Sequence, residues 1–186
     1  MGRVSQAQAQ ANRAHVVATA SRMFREKGTG VSVADLMKAS GLTHGGFYKQ
    51  FASKEALVDE AIAHAFAQPG PRSAAESGHV GDHPAAQQAM IEEYLSPPHR
   101  DDPAAGCPVA GLVTDVARTV DDPAACEVYA EGVRDFAEWL DTDDQDGKVR
   151  LATMVGALLL ARSTRGTALS DDFLNAARTA LTDRTV

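Results

Sequence analysis

The sequence predicts an all-α fold of about nine helices, divided into a small N-terminal domain over residues 1–68 and a larger helical domain over residues 69–186. Three observations carry that prediction. Apolar residues recur at three- and four-residue intervals in one segment after another. Several of those segments open on Ser, Thr, Asp or Pro, and the first two close on Gly, the residues that start and stop helices. Alanine is abundant and aromatic residues are few, a composition that lets helices pack closely.

Residues 1–11 are polar and lack an apolar period, so a disordered arm is expected there. Arg3 and Arg13 either add contacts to an anionic partner or belong to a solvated tail. From Asn12 to Lys27, Val16, Val17, Ala20, Met23 and Phe24 form one helical stripe, with Phe24 as a core plug. Gly28 and Gly30 end it. Ser32 then caps a second helix, with Asp35 at capping-box spacing and Val33, Leu36 and Met37 on its inner face. Gly41 stops that helix in a left-handed conformation, and Thr43 offers a hydroxyl to cap the next.

The third helix is too short and polar to stand alone. Phe47 and Phe51 lie four apart and bury together beneath it. Gly45 and Gly46 each cost about 1 kcal/mol in a helix relative to Ala, a cost that makes sense where another backbone must come close. Tyr48, Lys49, Gln50 and Lys54 bring a phenol, an amide and two cations together, groups that bind phosphate oxygens. A short helix pair joined by a Gly-containing turn is either an ordinary corner of an all-α protein or a helix-turn-helix motif. Ser53 caps a fourth helix, which Leu57, Val58, Ala61, Ile62 and Ala65 continue.

Charge is distributed unevenly. Residues 1–68 hold eight Lys/Arg against five Asp/Glu, a net of +3, and residues 69–186 hold ten against twenty, a net of −10. Either a basic reading head sits on an acidic body or charge simply varies along the chain. The whole-chain value of −7 conceals the difference. With no long apolar run and no N-terminal apolar segment, a soluble cytoplasmic protein is expected, without membrane partners. Two cysteines, Cys107 and Cys126, are too few for a disulfide framework.

The segment GLTHGGFYKQFASKEALV resembles the end of the DNA-binding domain of TetR-type (TetR/AcrR) transcriptional repressors. HVVATASRMFREKGTGVSVADL, upstream, is similar to the first helix and turn of the same family, so the likeness covers roughly residues 12–62. The resemblance implies a helix-turn-helix reading head that binds a double-stranded DNA operator. Base readout would fall to Thr43, His44, Gly45 and Lys49, phosphate contacts to Ser32, Tyr48, Gln50 and Lys54, and close approach to Gly45 and Gly46. Gln50 stands where the family most often has His.

Gln68–Pro84 is rich in Pro, Gly and Ser and reads as a loop. His79 and His83 lie in it, but Gly81 and Pro84 argue against the helix that would align them, so no metal site is expected. A helix from about Ala85 to Leu95 carries Met90 and Tyr94, and Pro97-Pro98 ends it before a second loop. The next, opened by Pro108, carries Val109, Leu112, Val113, Val116 and Val120. Cys107 precedes it, where a helix N-terminus can lower a thiol pKa. It is either a redox or electrophile sensor of the kind some TetR-type proteins use, or a small buried thiol.

Asp121, Asp122 and Pro123 open a helix running to about Leu140, with Tyr129, Val133, Phe136 and Trp139 on it. With Met90, Tyr94, Leu112 and Val116, these residues either line an apolar effector pocket or form a plain core stripe. Arg118 and Arg134 would suit an anionic effector only if turned inward. Val149–Ser163 is the most apolar run, and a helix apolar nearly all round needs covering on more than one side. With Asp171–Leu181 it is the expected homodimer seam, as the resemblance also implies. No G-x-S-x-G, glycine-rich phosphate loop or metal-spaced cluster occurs, so neither an enzyme nor a cofactor is implied. The expectation is an effector-responsive homodimeric repressor, with a thiol-based switch at Cys107 as the alternative.

Overall fold

Ala and Gln are strong helix formers even without an apolar stripe to bury. In the computed structural model, which describes residues 6–118 and 123–183, helix α1 accordingly begins at Gln6 and runs to Lys27. The expected disordered arm is therefore helical from residue 6 onward. Arg3, Val120, Asp121 and Asp122 lie outside the described residues. Helix α2 spans Val33–Ala39, a 3-10 helix His44–Lys49, and α3 Lys54–Ala67. Then come α4 Pro71–Gly78, α5 His83–Tyr94, α6 Pro97–Asp101, α7 Pro108–Val116, α8 Pro123–Leu140, α9 Gly147–Ser163 and α10 Ala168–Thr182. Among the described residues there is no strand, and the all-α expectation holds.

Two expected loops are partly helical. Pro71 and Pro97 each stand at a helix start, where a missing N–H leaves no intrahelical bond unmade. Proline there acts as a beginning. Thus α4 crosses the Pro/Gly/Ser-rich stretch, and Pro97-Pro98 opens α6 two residues after α5 has closed at Leu95.

The chain divides into two compact units, one of Met1–Gln68 with Gly111–Tyr129, the other of Pro69–Ala110 with Ala130–Val186. In the first, Val16, Ala20, Phe24, Leu36, Met37, Phe47, Phe51, Leu57, Ala61 and Ile62 form one core, to which α7 adds Leu112 and α8 adds Ala125. Asp115 of α7 accepts from both the main-chain N–H and the hydroxyl of Thr29 (2.9 and 2.8 Å) in the turn after α1. The first unit thus closes its opening turn with a residue 86 positions downstream.

In the second unit α9 packs against α10, and α5 packs against α4, α9 and α10. Its core includes Met90, Ile91, Tyr94, Leu140, Met154, Leu158 and Leu174. A Cβ on Gly147 would lie 1.9 Å from the Ala137 carbonyl oxygen, so only glycine lets α9 start that close to α8. The C-terminal carbonyls of α8 are closed by side chains: Gln87 donates to Trp139 O and Asp141 O, and the buried Arg150 donates to Leu140 O and Gln87 Oε1.

Candidate nucleic-acid interface

The turn between α2 and the 3-10 helix is built as its residues dictate. Ser32 Oγ accepts from the Asp35 N–H (3.1 Å), capping α2. Gly41 adopts φ +66°, a left-handed conformation that any Cβ would strain. The Leu42 N–H then reaches back to Met37 O (2.9 Å), directing the chain into His44. The expected Thr43 cap is not formed: its hydroxyl makes no capping bond, and the side chain is exposed. A 3-10 turn tightens the ring of each backbone bond, here Gly46 N–H to Thr43 O and Gln50 N–H to Phe47 O, so the helix closes without that hydroxyl.

Phe47 is the buried residue of the 3-10 helix and is fully enclosed. Its ring packs against Phe51 at 5.3 Å between centroids and meets the Tyr48 ring edge-on at 5.1 Å. One side chain thus anchors the element while its neighbours stay outside. Thr43, His44, Gly45, Tyr48 and Lys49 are exposed, as is Ser32 at the start of α2. Tyr48 is 67% exposed even though its ring is steadied by Phe47 and by His44 at 6.2 Å. Nothing lies within 4 Å of where a Gly45 Cβ would be, and a Gly46 Cβ would meet only Met37 and Thr43 side-chain atoms at ordinary contact distance. The protein itself leaves room at both glycines.

Lys54 stands half-buried at the start of α3, which Ser53 caps by accepting from the Ala56 N–H (3.2 Å). Glu55 beside it is held below the usual carboxylate range, first by its own backbone amide, then by the Ser53 hydroxyl, with Lys54 adding to the effect. Gln50 differs from the exposed group. Its side-chain oxygen is buried without a hydrogen-bond partner, so only its amide nitrogen could serve a phosphate.

Arg13 is already engaged. Its two terminal nitrogens fork onto both carboxylate oxygens of Glu60, its Nε donates to the Gln50 carbonyl (3.3 Å), and its guanidinium lies 4.8 Å from the centre of the Phe51 ring. No periodicity or spacing points to this pairing, because Arg13 and Glu60 are 47 positions apart.

The candidate effector residues do not all fall in one core. Leu112, Val116 and Tyr129 pack with the first unit, where the Tyr129 and Phe66 rings meet edge-on at 5.9 Å. Met90, Tyr94 and Phe136 are buried in the second unit, with Tyr94 and Phe136 ring centres 6.3 Å apart. Val133 is half-buried there, and Trp139 meets His83 at 5.1 Å. Arg118 and Arg134 are both exposed.

Cys107 is buried, and its N–H donates to Nε2 of His99 (3.1 Å), whose Nδ1 donates to the Tyr94 carbonyl (2.7 Å). Those bonds fix a neutral His99 with its proton on Nδ1, consistent with burial lowering its pKa. Burial pushes the Cys107 thiol up, and bonds from the Ala110 amide and the Tyr94 hydroxyl offset only part of that rise. The lowering expected from the α7 N-terminus is outweighed by desolvation. Among the described residues, no group of three or more His, Cys, Asp or Glu could hold a metal ion, and no helix is long and apolar enough to cross a membrane.

Residues 16–61 match the family model for bacterial regulatory proteins of the tetR family. Curated proteins give no match. Solved structures do. A TetR transcriptional regulator from Chloroflexus aurantiacus J-10-FL is 22% identical, with 96% of this chain and 98% of that one covered and a TM-score of 0.72. The reduced form of E. coli NemR is 19% identical over 92% and 95%, with a TM-score of 0.71. A TetR-family regulator from Agrobacterium tumefaciens is 20% identical over 93% and 97%, also at 0.71. At these identities the likeness establishes a shared fold across nearly the whole chain.

Proposed function

We propose that this chain is a homodimeric repressor released from a near-palindromic operator by a small-molecule effector, a reading supported by the match of residues 16–61 to the tetR-family model and by a fold shared with a TetR transcriptional regulator. The observation that carries the reading is the exposed row Thr43, His44, Gly45, Tyr48 and Lys49 on a helix that buries only Phe47. Such a helix has few bonds of its own and presents its polar side outward, as an element completed by a major groove would. Thr43, His44, Gly45 and Lys49 take the base edges. Ser32, Tyr48 and Lys54 take phosphates, Gln50 through its amide nitrogen alone. Gly46 keeps the backbone close.

Titration of a duplex selected by the wild-type chain from a random pool tests the assignment. Tyr48→Phe and Lys54→Ala should each weaken binding several-fold, and Lys54→Ala should lower the slope of log affinity against log salt by about 0.9, one phosphate contact. Unchanged affinity at two salt concentrations would remove both residues from the interface.

By this reading the effector site lies in the second unit, around Met90, Tyr94, Val133, Phe136 and Trp139; Leu112, Val116 and Tyr129 pack with the first unit's core and are left out of it. The effector needs a preference between two states of only about 1–3 kcal/mol to shift DNA occupancy. The alternative, a thiol switch at Cys107, has against it a buried thiol whose pKa is raised, since the thiolate is the reactive form. Cys107→Ser separates the two. By the effector reading, the variant keeps both operator binding and any response to a thiol-reactive compound, and Cys126, the more exposed thiol, is alkylated first. Loss of the response with operator binding intact would establish the switch instead.

A further inference from the structure

We propose that Arg13 and Glu60 form a clamp that sets the position of the reading helix, with Arg13 acting as a positioning residue and not as a phosphate ligand. The inference rests on the DNA-binding reading above and concerns how the 3-10 helix is held. That helix spans six residues, two of them glycine, and its hydrogen bonds are of the poorer 3-10 kind. Phe47 fixes it at one point, and an element fixed at one point can still tilt about it.

The second fixed point lies at its C-terminal end. Gln50 is the residue that closes the helix, and its carbonyl is one of those a helix end leaves without an internal partner. Arg13 Nε donates to it (3.3 Å), and the same guanidinium covers the Phe51 ring at 4.8 Å. Both terminal nitrogens then fork onto the two oxygens of Glu60 in α3, a pairing whose two parallel bonds fix orientation as well as distance. The guanidinium therefore ties α1 to α3 across the end of the reading helix.

Electrostatics rules against direct use of Arg13 on a phosphate. A carboxylate on both of its terminal nitrogens cancels the charge a phosphate would seek, and the Nε proton is committed to Gln50. The role left to it is geometric.

The charge-conserving double variant Arg13→Gln/Glu60→Gln removes the clamp without altering the net charge of the head. Its affinity for the selected duplex should fall about tenfold while the salt slope stays at the wild-type value, because every phosphate contact is kept but presented out of register. An affinity equal to wild type would overturn the proposal and make the pair merely structural. A slope reduced by about one would overturn it in favour of a phosphate contact. Should the double variant unfold, Glu60→Gln alone still decides. The clamp predicts weaker binding despite the added positive charge, whereas a phosphate-binding Arg13, freed from its carboxylate, predicts tighter binding and a steeper slope. The wild-type titration keeps the two readings apart. Wild-type binding with an unimpaired double variant discards the clamp alone; no salt-dependent binding by wild type to any duplex discards the repressor reading, and the clamp with it.

Discussion

Phe47→Ala is expected to destabilise the first unit by about 3–5 kcal/mol, the range for emptying a buried aromatic site. The ring is fully enclosed, packed against Phe51 and steadying Tyr48. Set against a domain stability of about 5–15 kcal/mol, such a loss would leave the reading helix disordered before the rest of the unit melts. The 3-10 helix buries no other side chain, and the Arg13 bond to the Gln50 carbonyl at its end cannot replace that packing. Amide hydrogen exchange gives the sharpest readout. The Gly46, Gln50 and Phe51 amides, bonded to Thr43 O and Phe47 O, should lose protection by more than those around Val16 and Ala20 in α1. Urea unfolding should show a lower midpoint, and DNA binding should be lost. If the three amides keep their protection, Phe47 is not the anchor, and the exposed row owes its position to something else.

The anchor was readable in the sequence because its logic is local. Phe47 and Phe51 are four apart, Ser32 stands three before the amide it caps, and Gly41 takes the positive φ its place after α2 requires. The helical stripes of α1, α5 and α9 were readable for the same reason: period 3.6 leaves its mark in the order of residues. Other features answer to partners far along the chain. Arg13 with Glu60 and Thr29 with Asp115 span 47 and 86 positions, and no periodicity connects them. Pro71 and Pro97 mislead in another way, since one residue type both forbids a helix interior and favours its first turn. The Cys107 pKa depended on a balance between helix terminus and burial, and burial is not a property of the local sequence.

Gly156→Arg is expected to turn a dimer into monomers and to weaken operator binding by two orders of magnitude or more. The argument begins with α9, which proves two-sided. Leu151, Met154, Leu158 and Ala161 face its own unit, while Val149, Ala152, Gly156 and Leu160 fall on the opposite side at helical spacing. Val149 is 62% and Leu160 47% exposed, a good deal of apolar surface for one helix to show water. On α10, Leu169, Phe173, Ala176 and Ala180 continue at the same spacing, flanking the buried Leu174 and Ala177.

A second copy of the chain meeting this face through the same residues would cover both stripes, as a twofold interface requires. A Cβ on Gly156 meets nothing within 4 Å in the single chain, so arginine there costs the monomer no contact. It even gains helix propensity, about 1 kcal/mol relative to glycine. Across a twofold seam, the same side chain would drive a charge into an apolar contact. Sedimentation should therefore report a folded monomer for the variant and a dimer for wild type. Operator affinity should fall about 10²–10⁴-fold, because each head then binds its half-site without the effective concentration its mate supplies. A variant that remains dimeric with full affinity would place the seam on another face and leave the open stripes of α9 and α10 to some other partner.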